Sequence, residues 1–223
     1  MNLFAASLAP LLLAGMLASP APATCDVTDA TLTWGFKESF RSYISGSIAH
    51  GEWTVSDGAT YETPSFGWND GSGTVPGTVA FTGSIGFTGH GGILDTTVAN
   101  PRLVFDGSST ATLLLDVSGT TQEGLPVDAP AVEFATIELP VAADGAVITD
   151  APVTLTQAGA EAFGTYAAGE ALDPITVHMP GASGCGSTSG GISPLVAVVV
   201  SVGMLGLLVG LAAVVLRRRI RER

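Results

Sequence analysis

The sequence predicts an all-β domain, a β-sandwich or flattened barrel with one or two short α-helices, set between an N-terminal signal peptide and one C-terminal transmembrane helix. Three observations carry that expectation. Apolar and polar residues alternate through the middle of the chain, the period of strands buried on one face. Twenty-nine glycines and thirteen prolines place turn signals at short intervals. Both ends carry apolar runs without charge.

In chain order, residues 1–23 read as a secretory signal. The apolar run Leu8–Leu17 is followed by Ser-Pro-Ala-Pro-Ala, with Ala21-Pro22-Ala23 as an A-x-A cleavage site. No Lys or Arg precedes the run, so either the native start lies elsewhere or the amino terminus alone supplies the charge. Pro22-Ala23-Thr24 before Cys25 does not make a lipobox.

Strands are expected at Thr31–Trp34, Gly51–Val55, Tyr61–Phe66, Thr78–Phe87, Ile93–Ala99, Arg102–Phe105, Thr112–Val117, Ala131–Leu139 and Val153–Thr156. In the fourth, Val79, Phe81, Ile85 and Phe87 share a face; in the seventh, Leu113, Leu115 and Val117 do. Asp57-Gly58, Asn69-Asp70-Gly71, Asn100-Pro101, Asp106-Gly107 and Ala143-Asp144-Gly145 read as turns between them. Two segments have helical spacing instead, Gly35–Ser45 and Gln157–Phe163. The first puts Phe36, Phe40, Tyr43 and Ile44 on one face, with Ser39 one turn below Tyr43. The domain thus occupies residues 24–180 and is followed by a Gly/Ser-rich tether at 181–194.

Residues 195–216 contain no charge. At ~1.5 Å per residue they reach about 33 Å, enough for a ~30 Å hydrocarbon core. The basic tail 217–223, with five arginines, follows as a stop-transfer signal that places the C-terminus in the cytoplasm. No Leu-Pro-x-Thr-Gly sorting motif precedes the run. The expected location is therefore the cell membrane, single-pass, with the domain outside.

The net charge of −12 understates how acidic that domain is, because between Thr24 and Pro194 the only basic side chains besides histidine are Lys37, Arg41 and Arg102. Such a surface repels phosphate backbones and excludes nucleic acid as a partner. The two cysteines, Cys25 and Cys185, flank the domain. In an exported protein they read as a disulfide tying its ends; two free thiols are the alternative. No Gly-x-Ser-x-Gly, Cys-His pair or phosphate loop is present, and the chain reads as a non-enzyme.

Three blocks, WGFKESFRSYISG from Trp34, FTGHGGILDTTVANPRLVFDG from Phe87 and YAAGEALDPITV from Tyr166, resemble in order the HtaA domain family. This is the haem-transport-associated domain of haem uptake in high-GC Gram-positive bacteria, and the likeness runs from about Ala30 to Met179. The resemblance implies ferric haem b as ligand, with Tyr43 as the axial phenolate on the iron. A free phenol titrates near pH 10, so the ligand needs the metal and a donated hydrogen bond to stay ionised; His90 matches the family donor. Ser39 matches the propionate-binding residue and Tyr166 the aromatic that packs on the macrocycle. Thr165 stands where the family often has a second aromatic, a place Phe163 is expected to fill. Phe36 and Phe40 complete the apolar cover. His50 and His178 read as surface residues, with His178 a reserve ligand.

By the same resemblance the chain captures haem outside the cell and relays it toward an importer. Haemoproteins would be its donors, and other haem-binding surface proteins or an ABC-importer lipoprotein its acceptors. A tethered adhesive β-sandwich without cofactor is the competing reading. A haem-dependent enzyme is a third, disfavoured because a relay needs binding and release but no open distal pocket.

Overall fold

The computed structural model describes residues 24–140, 146–183 and 185. The expected signal peptide, the Ala143-Asp144-Gly145 turn, most of the tether, the span 195–216 and the basic tail lie outside them. Among the described residues no helix is long and apolar enough to cross a membrane.

Eleven strands account for most of the described residues: β1 (Cys25–Trp34), β2 (Glu52–Ser56), β3 (Thr60–Glu62), β4 (Ser65–Val75), β5 (Gly77–Ala80), β6 (Ser84–Gly89), β7 (Leu94–Phe105), β8 (Thr110–Thr120), β9 (Pro126–Glu138), β10 (Val147–Leu155) and β11 (Ala171–His178). Helix α1 (Glu38–Ser45) follows β1, and α2 (Gln157–Phe163) joins β10 to β11. All pairings are antiparallel. The order β7-β5-β4-β1-β11-β10-β9-β8 returns to β7, so eight strands close a barrel and leave no edge between them. One edge of β7 is shared: β5 pairs with its Arg102–Phe105 half and β6 with its Leu94–Ala99 half. β2 then extends β6, and β3 pairs with the start of β4, flaring the wall at that end. Of the two architectures expected, the barrel is the one formed.

Closure needs curvature, and bulges supply it. Asp29, Asp70, Asn100, Ala131 and Asp150 have positive φ of 49–55° within strands. The register slips beside them, for example between Ala99 and Arg102 on β7. Two expected turns are therefore bulges. Asn69-Asp70-Gly71 lies inside β4, and Asn100-Pro101 lies inside β7, which merges the two expected strands 93–99 and 102–105. Conversely, two expected single strands are broken. Tyr61–Phe66 splits at Thr63-Pro64 into β3 and β4, and Thr78–Phe87 splits into β5 and β6, although Val79, Phe81, Ile85 and Phe87 are all buried as expected. A proline at a strand start costs no ladder hydrogen bond, which explains why Pro64 marks a boundary.

The core is rich in aromatics. Trp34, Phe36, Phe40, Phe66, Phe87, Phe134 and Phe163 are shut off from solvent and form a connected set of tilted and edge-to-face rings at the α1 end. Cys25, at the start of β1, is bonded to Cys185 with Cα atoms 5.9 Å apart. Cys25 and Trp34 are the two ends of the ten-residue β1, about 30 Å apart at ~3.3 Å per residue. The disulfide and α1 therefore sit at opposite ends of the strand.

Candidate functional site

Helix α1 begins three residues later than its apolar spacing suggests. Phe36 is left-handed at φ 63° and Lys37 is extended, so Phe36 is not on the helix face at all. It turns into the barrel and packs against Trp34, Phe87 and Phe163. The helix itself buries Phe40, Arg41 and Ile44, half-exposes Tyr43 and exposes Ser39.

The seat of α1 comes from β11. The residue before the helix, Lys37, makes no side-chain cap. Asp173 of β11 makes it instead: its Oδ1 accepts from the Glu38 backbone N–H at 2.9 Å. Its other oxygen pairs with the Arg41 guanidinium at 3.2 Å. Arg41 also donates to the carbonyls of Gly35 and Pro64. Asp173 N–H donates to Phe36 O at 3.0 Å, and the Trp34 indole donates to Asp173 O at 2.8 Å. One residue thus binds the chain before, at and inside the first turn of the helix. Asp173-Pro174 reads as a turn in the sequence; it lies within a strand and positions the site.

Opposite α1 lies the turn His90–Gly92. His90 has φ 52°, an uncommon conformation for a residue with a side chain, and its N–H donates to Ala49 O at 2.7 Å. Gly91 and Gly92 continue at φ 64° and 94°, and a Cβ at either would meet nothing within 4 Å. Small residues are needed there for the left-handed backbone, and they leave the space in front of the turn clear. The hinge between α1 and this turn is short. Gly51 N–H donates to Ile44 O at 2.8 Å, so the segment 46–51 ties the end of the helix to β2 and to His90.

The outcome is a contact between the Tyr43 hydroxyl and His90 Nε2. Both side chains are half-buried. Ser39 Oγ and the Tyr166 hydroxyl are hydrogen-bonded at 3.1 Å on the other side. Phe40 forms the floor between the two phenols, its ring centroid 6.1 Å from Tyr43 and 6.4 Å from Tyr166. Phe163 lies parallel to Tyr166 with centroids 6.5 Å apart. It is 2% exposed, so it supports Tyr166 from beneath and presents no ring surface of its own; Phe36 and Phe40 are buried likewise. Helix α2 holds it there through a Thr156 cap to Gly159 N–H (3.0 Å) and a left-handed Gly164 at its end.

The six site residues from α1, the His90 turn and the α2 end are therefore brought to one end of the barrel, with Phe36 beneath them. His50 and His178 are exposed. His50 borders an open depression of ≈ 410 Å³ behind the His90 turn, with Glu52 and Thr88; His178 closes the far end of β11. Four large apolar side chains are exposed among the described residues, Ile48, Ile93, Leu125 and Val147, and the sequence marked none of them as such. Ile93 and Leu125 are 54% and 58% exposed. Ile93 follows the His90 turn directly and its carbonyl accepts from Thr120, next to the Thr121–Leu125 loop. Each stands immediately before a strand, Ile93 before β7 and Leu125 before β9, where strand alternation assigns no face. Among the described residues no group of three or more His, Cys, Asp or Glu side chains is placed to hold a bare metal ion.

A closed eight-stranded barrel whose end carries a tyrosine–histidine pair over an aromatic floor defines the class. The HtaA family profile (Htaa) matches residues 29–178, and the chain belongs to that family. Among solved structures, it is similar to the C-terminal domain of HtaA from Corynebacterium glutamicum (32% identity, TM-score 0.60, covering 70% of this chain and 98% of that one). It is similar also to the N-terminal domain of that HtaA (35%, 0.58, 69% and 97%) and to the haem-binding protein HtaB of the same organism (28%, 0.58, 70% and 96%). No curated protein sequence matches the chain.

Proposed function

We propose that this chain binds ferric haem at the α1 end of the barrel, through Tyr43, and hands it on for iron acquisition. The observation that carries the reading is the Tyr43 hydroxyl in contact with His90 Nε2, both reachable from solvent. Ferric haem iron is a hard acid that takes a phenolate as axial ligand. The surroundings fit such a flat, apolar, carboxylated group. Phe40, itself buried, backs the two phenols from beneath, the bare Gly91-Gly92 backbone leaves open space at the turn, and the exposed Ile93 and Leu125 give apolar edges. Ser39 and Tyr166 supply hydroxyls for a propionate.

Within this reading the chain's own residues have distinct tasks. Tyr43 Oη is the ligand atom. His90 Nε2, already at that oxygen, takes the phenol proton and returns it as a hydrogen bond donated to the phenolate. Rupture of that bond weakens the ligand, which suits release. Binding and release, without catalysis, is the whole task. The domain works outside the cell on the anchor 195–216, receiving haem from haemoproteins and passing it to another surface protein or an importer lipoprotein.

The test separates ligand from helper. Tyr43→Ala removes the phenolate-to-iron charge-transfer band and most bound haemin. His90→Ala still binds, but about 10- to 100-fold more weakly, the worth of one charge-assisted hydrogen bond, and loses haem faster to apomyoglobin. If Tyr43→Ala keeps the wild-type spectrum while loss of His90, His50 or His178 abolishes it, the iron is held by histidine. A protein that takes up no haemin at all returns the adhesive reading.

A further inference from the structure

The acidic domain poses a problem for the ligand just proposed, since haem carries two carboxylates. Among the described residues, three lysine or arginine side chains are available to meet them. Arg41 is 7% exposed and committed to Asp173 and two carbonyls. Arg102, in the half of β7 away from the His90 turn, is paired with Asp116. Lys37 alone stands at the site. Its ammonium lies 5.2 Å from the centroid of the Tyr166 ring, and the hydroxyl of that same ring bonds Ser39. One cation and two hydroxyls therefore surround one aromatic ring.

Lys37 is already held. Its Nζ donates to Ala171 O at 2.7 Å and pairs with Glu170 Oε1 at 2.9 Å. The two contacts differ in kind. Ala171 O is a fixed backbone acceptor on β11, whereas Glu170 is a carboxylate on the loop before it, 42% exposed against 15% for Lys37. A pair with one partner so open to water is weak and readily exchanged. The Ser39–Tyr166 pair is similarly incomplete. Whichever hydroxyl donates to the other, one O–H proton remains for an acceptor from outside.

We propose that Lys37 is the carboxylate receptor of this site and that Glu170 occupies it as an internal competitor. On the haem reading above, on which this rests, a propionate replaces the Glu170 carboxylate on the Lys37 ammonium while Ala171 O keeps the lysine in place. Ser39 and Tyr166 add their spare proton to the same end of the ligand. Charge is conserved in the exchange: one carboxylate leaves the ammonium for water and another takes its place. The site thus selects for a macrocycle with free acid groups, and Glu170 sets how strongly it does so.

The experiment titrates the purified full chain and its Lys37→Gln and Glu170→Gln variants with haemin and with haemin dimethyl ester, whose acid groups are blocked. Melting curves check the fold; glutamine at 37 retains an N–H for Ala171 O. Lys37→Gln should weaken haemin binding about tenfold, the scale of a charge-assisted contact, and leave the ester unaffected. Glu170→Gln should strengthen haemin binding a few-fold and also leave the ester unaffected. Added salt should shrink both effects. If Lys37→Gln weakens acid and ester alike, the lysine merely packs on Tyr166 and the proposal falls. If Glu170→Gln weakens haemin binding, Glu170 is no competitor and it falls as well. In both cases wild-type uptake of haemin leaves the haem reading standing; wild type that takes up neither compound removes both.

Discussion

Asp173→Ala should unseat α1 from the barrel, and the structure sets the size of the effect. Two losses add. The substitution removes the acceptor for Glu38 N–H, and an N-terminal cap is worth about 1 kcal/mol. It also strips the partner from Arg41, which is buried; breaking a buried pair costs about 3–5 kcal/mol. Arg41 keeps the carbonyls of Gly35 and Pro64, and the Asp173 side chain is 24% exposed, so about 2 kcal/mol is the fitting share. Together these give about 3 kcal/mol, or roughly 6–12 °C in Tm for a domain of this size. Asp173→Asn keeps an oxygen for the cap and loses only the charge, so it should fall between wild type and alanine. Denaturant midpoints and thermal melts measure both. The same variants should bind haemin more weakly, since Tyr43 is only about one and a half turns from the unseated end. An alanine cost below about 1 kcal/mol, or asparagine as costly as alanine, would refute the assignment of Asp173 as both cap and counter-ion.

Asp116 on β8 offers a pH-dependent counterpart. Burial opposes its charge, but hydrogen bonds from Asn100 and Ala131 N–H and the Arg102 guanidinium outweigh that and hold its carboxyl below the usual carboxylate range. A lowered folded-state value means stability present above pH 3.8 and lost as pH falls toward the folded value. Asp116→Asn should therefore lower stability by about 1–2 kcal/mol at pH 7 and flatten the acid limb of a stability–pH curve; an unchanged limb contradicts the reading. Reduction of Cys25–Cys185 opens a 160-residue loop, for which chain entropy predicts a loss on the order of 5 kcal/mol, less any native strain. Melting should shift downward while haemin uptake persists, because the bridge lies at the far end of β1; loss of uptake in still-folded protein would contradict this. External protease on intact cells should release the domain and spare a C-terminal tag, and a protected domain overturns the topology.

The legible part of the fold was the part written in side-chain alternation. β2, β8 and α2 follow their apolar patterns closely, and the four alternating residues of 79–87 all face the core. Two misreadings share one cause. Asn69-Asp70-Gly71 and Asn100-Pro101 are local signals for positive φ, and a turn and a bulge require the same backbone. What separates them is whether the neighbouring strand continues to pair past the kink. At Asn100 it does, because Asp116 on β8 bonds the Asn100 amide and Arg102 on either side of the slip, and Ala131 N–H at the bulge of β9. One carboxylate stitches two bulges on opposite neighbours, a relation that no window of sequence contains.

The same distinction divides the site. Helical spacing puts Ser39 and Tyr43 on one side of α1, but spacing alone reads them as core or surface residues; the resemblance of their block and of Phe87–Gly92 to the HtaA family is what marks Tyr43, Ser39 and His90 as candidates. The residues that give these side chains their geometry carried no such mark. Asp173 and Glu170 lie about 130 residues from the helix they serve, and their acidity made them look like part of a solvated surface. In a domain with so few cations, however, each buried or half-buried base must find an acid, and that inventory is legible. Arg41 and Arg102 each recruit one carboxylate, Asp173 and Asp116, and both pairs hold backbone in place. Lys37 is the remaining one, and its partner is the most exposed of the three. Structural pairs are shielded from exchange by burial; a pair left open beside an aromatic platform can exchange its anion for another. Exposure of the partner, more than the presence of the ion pair, is thus what separates the binding cation from the two structural ones.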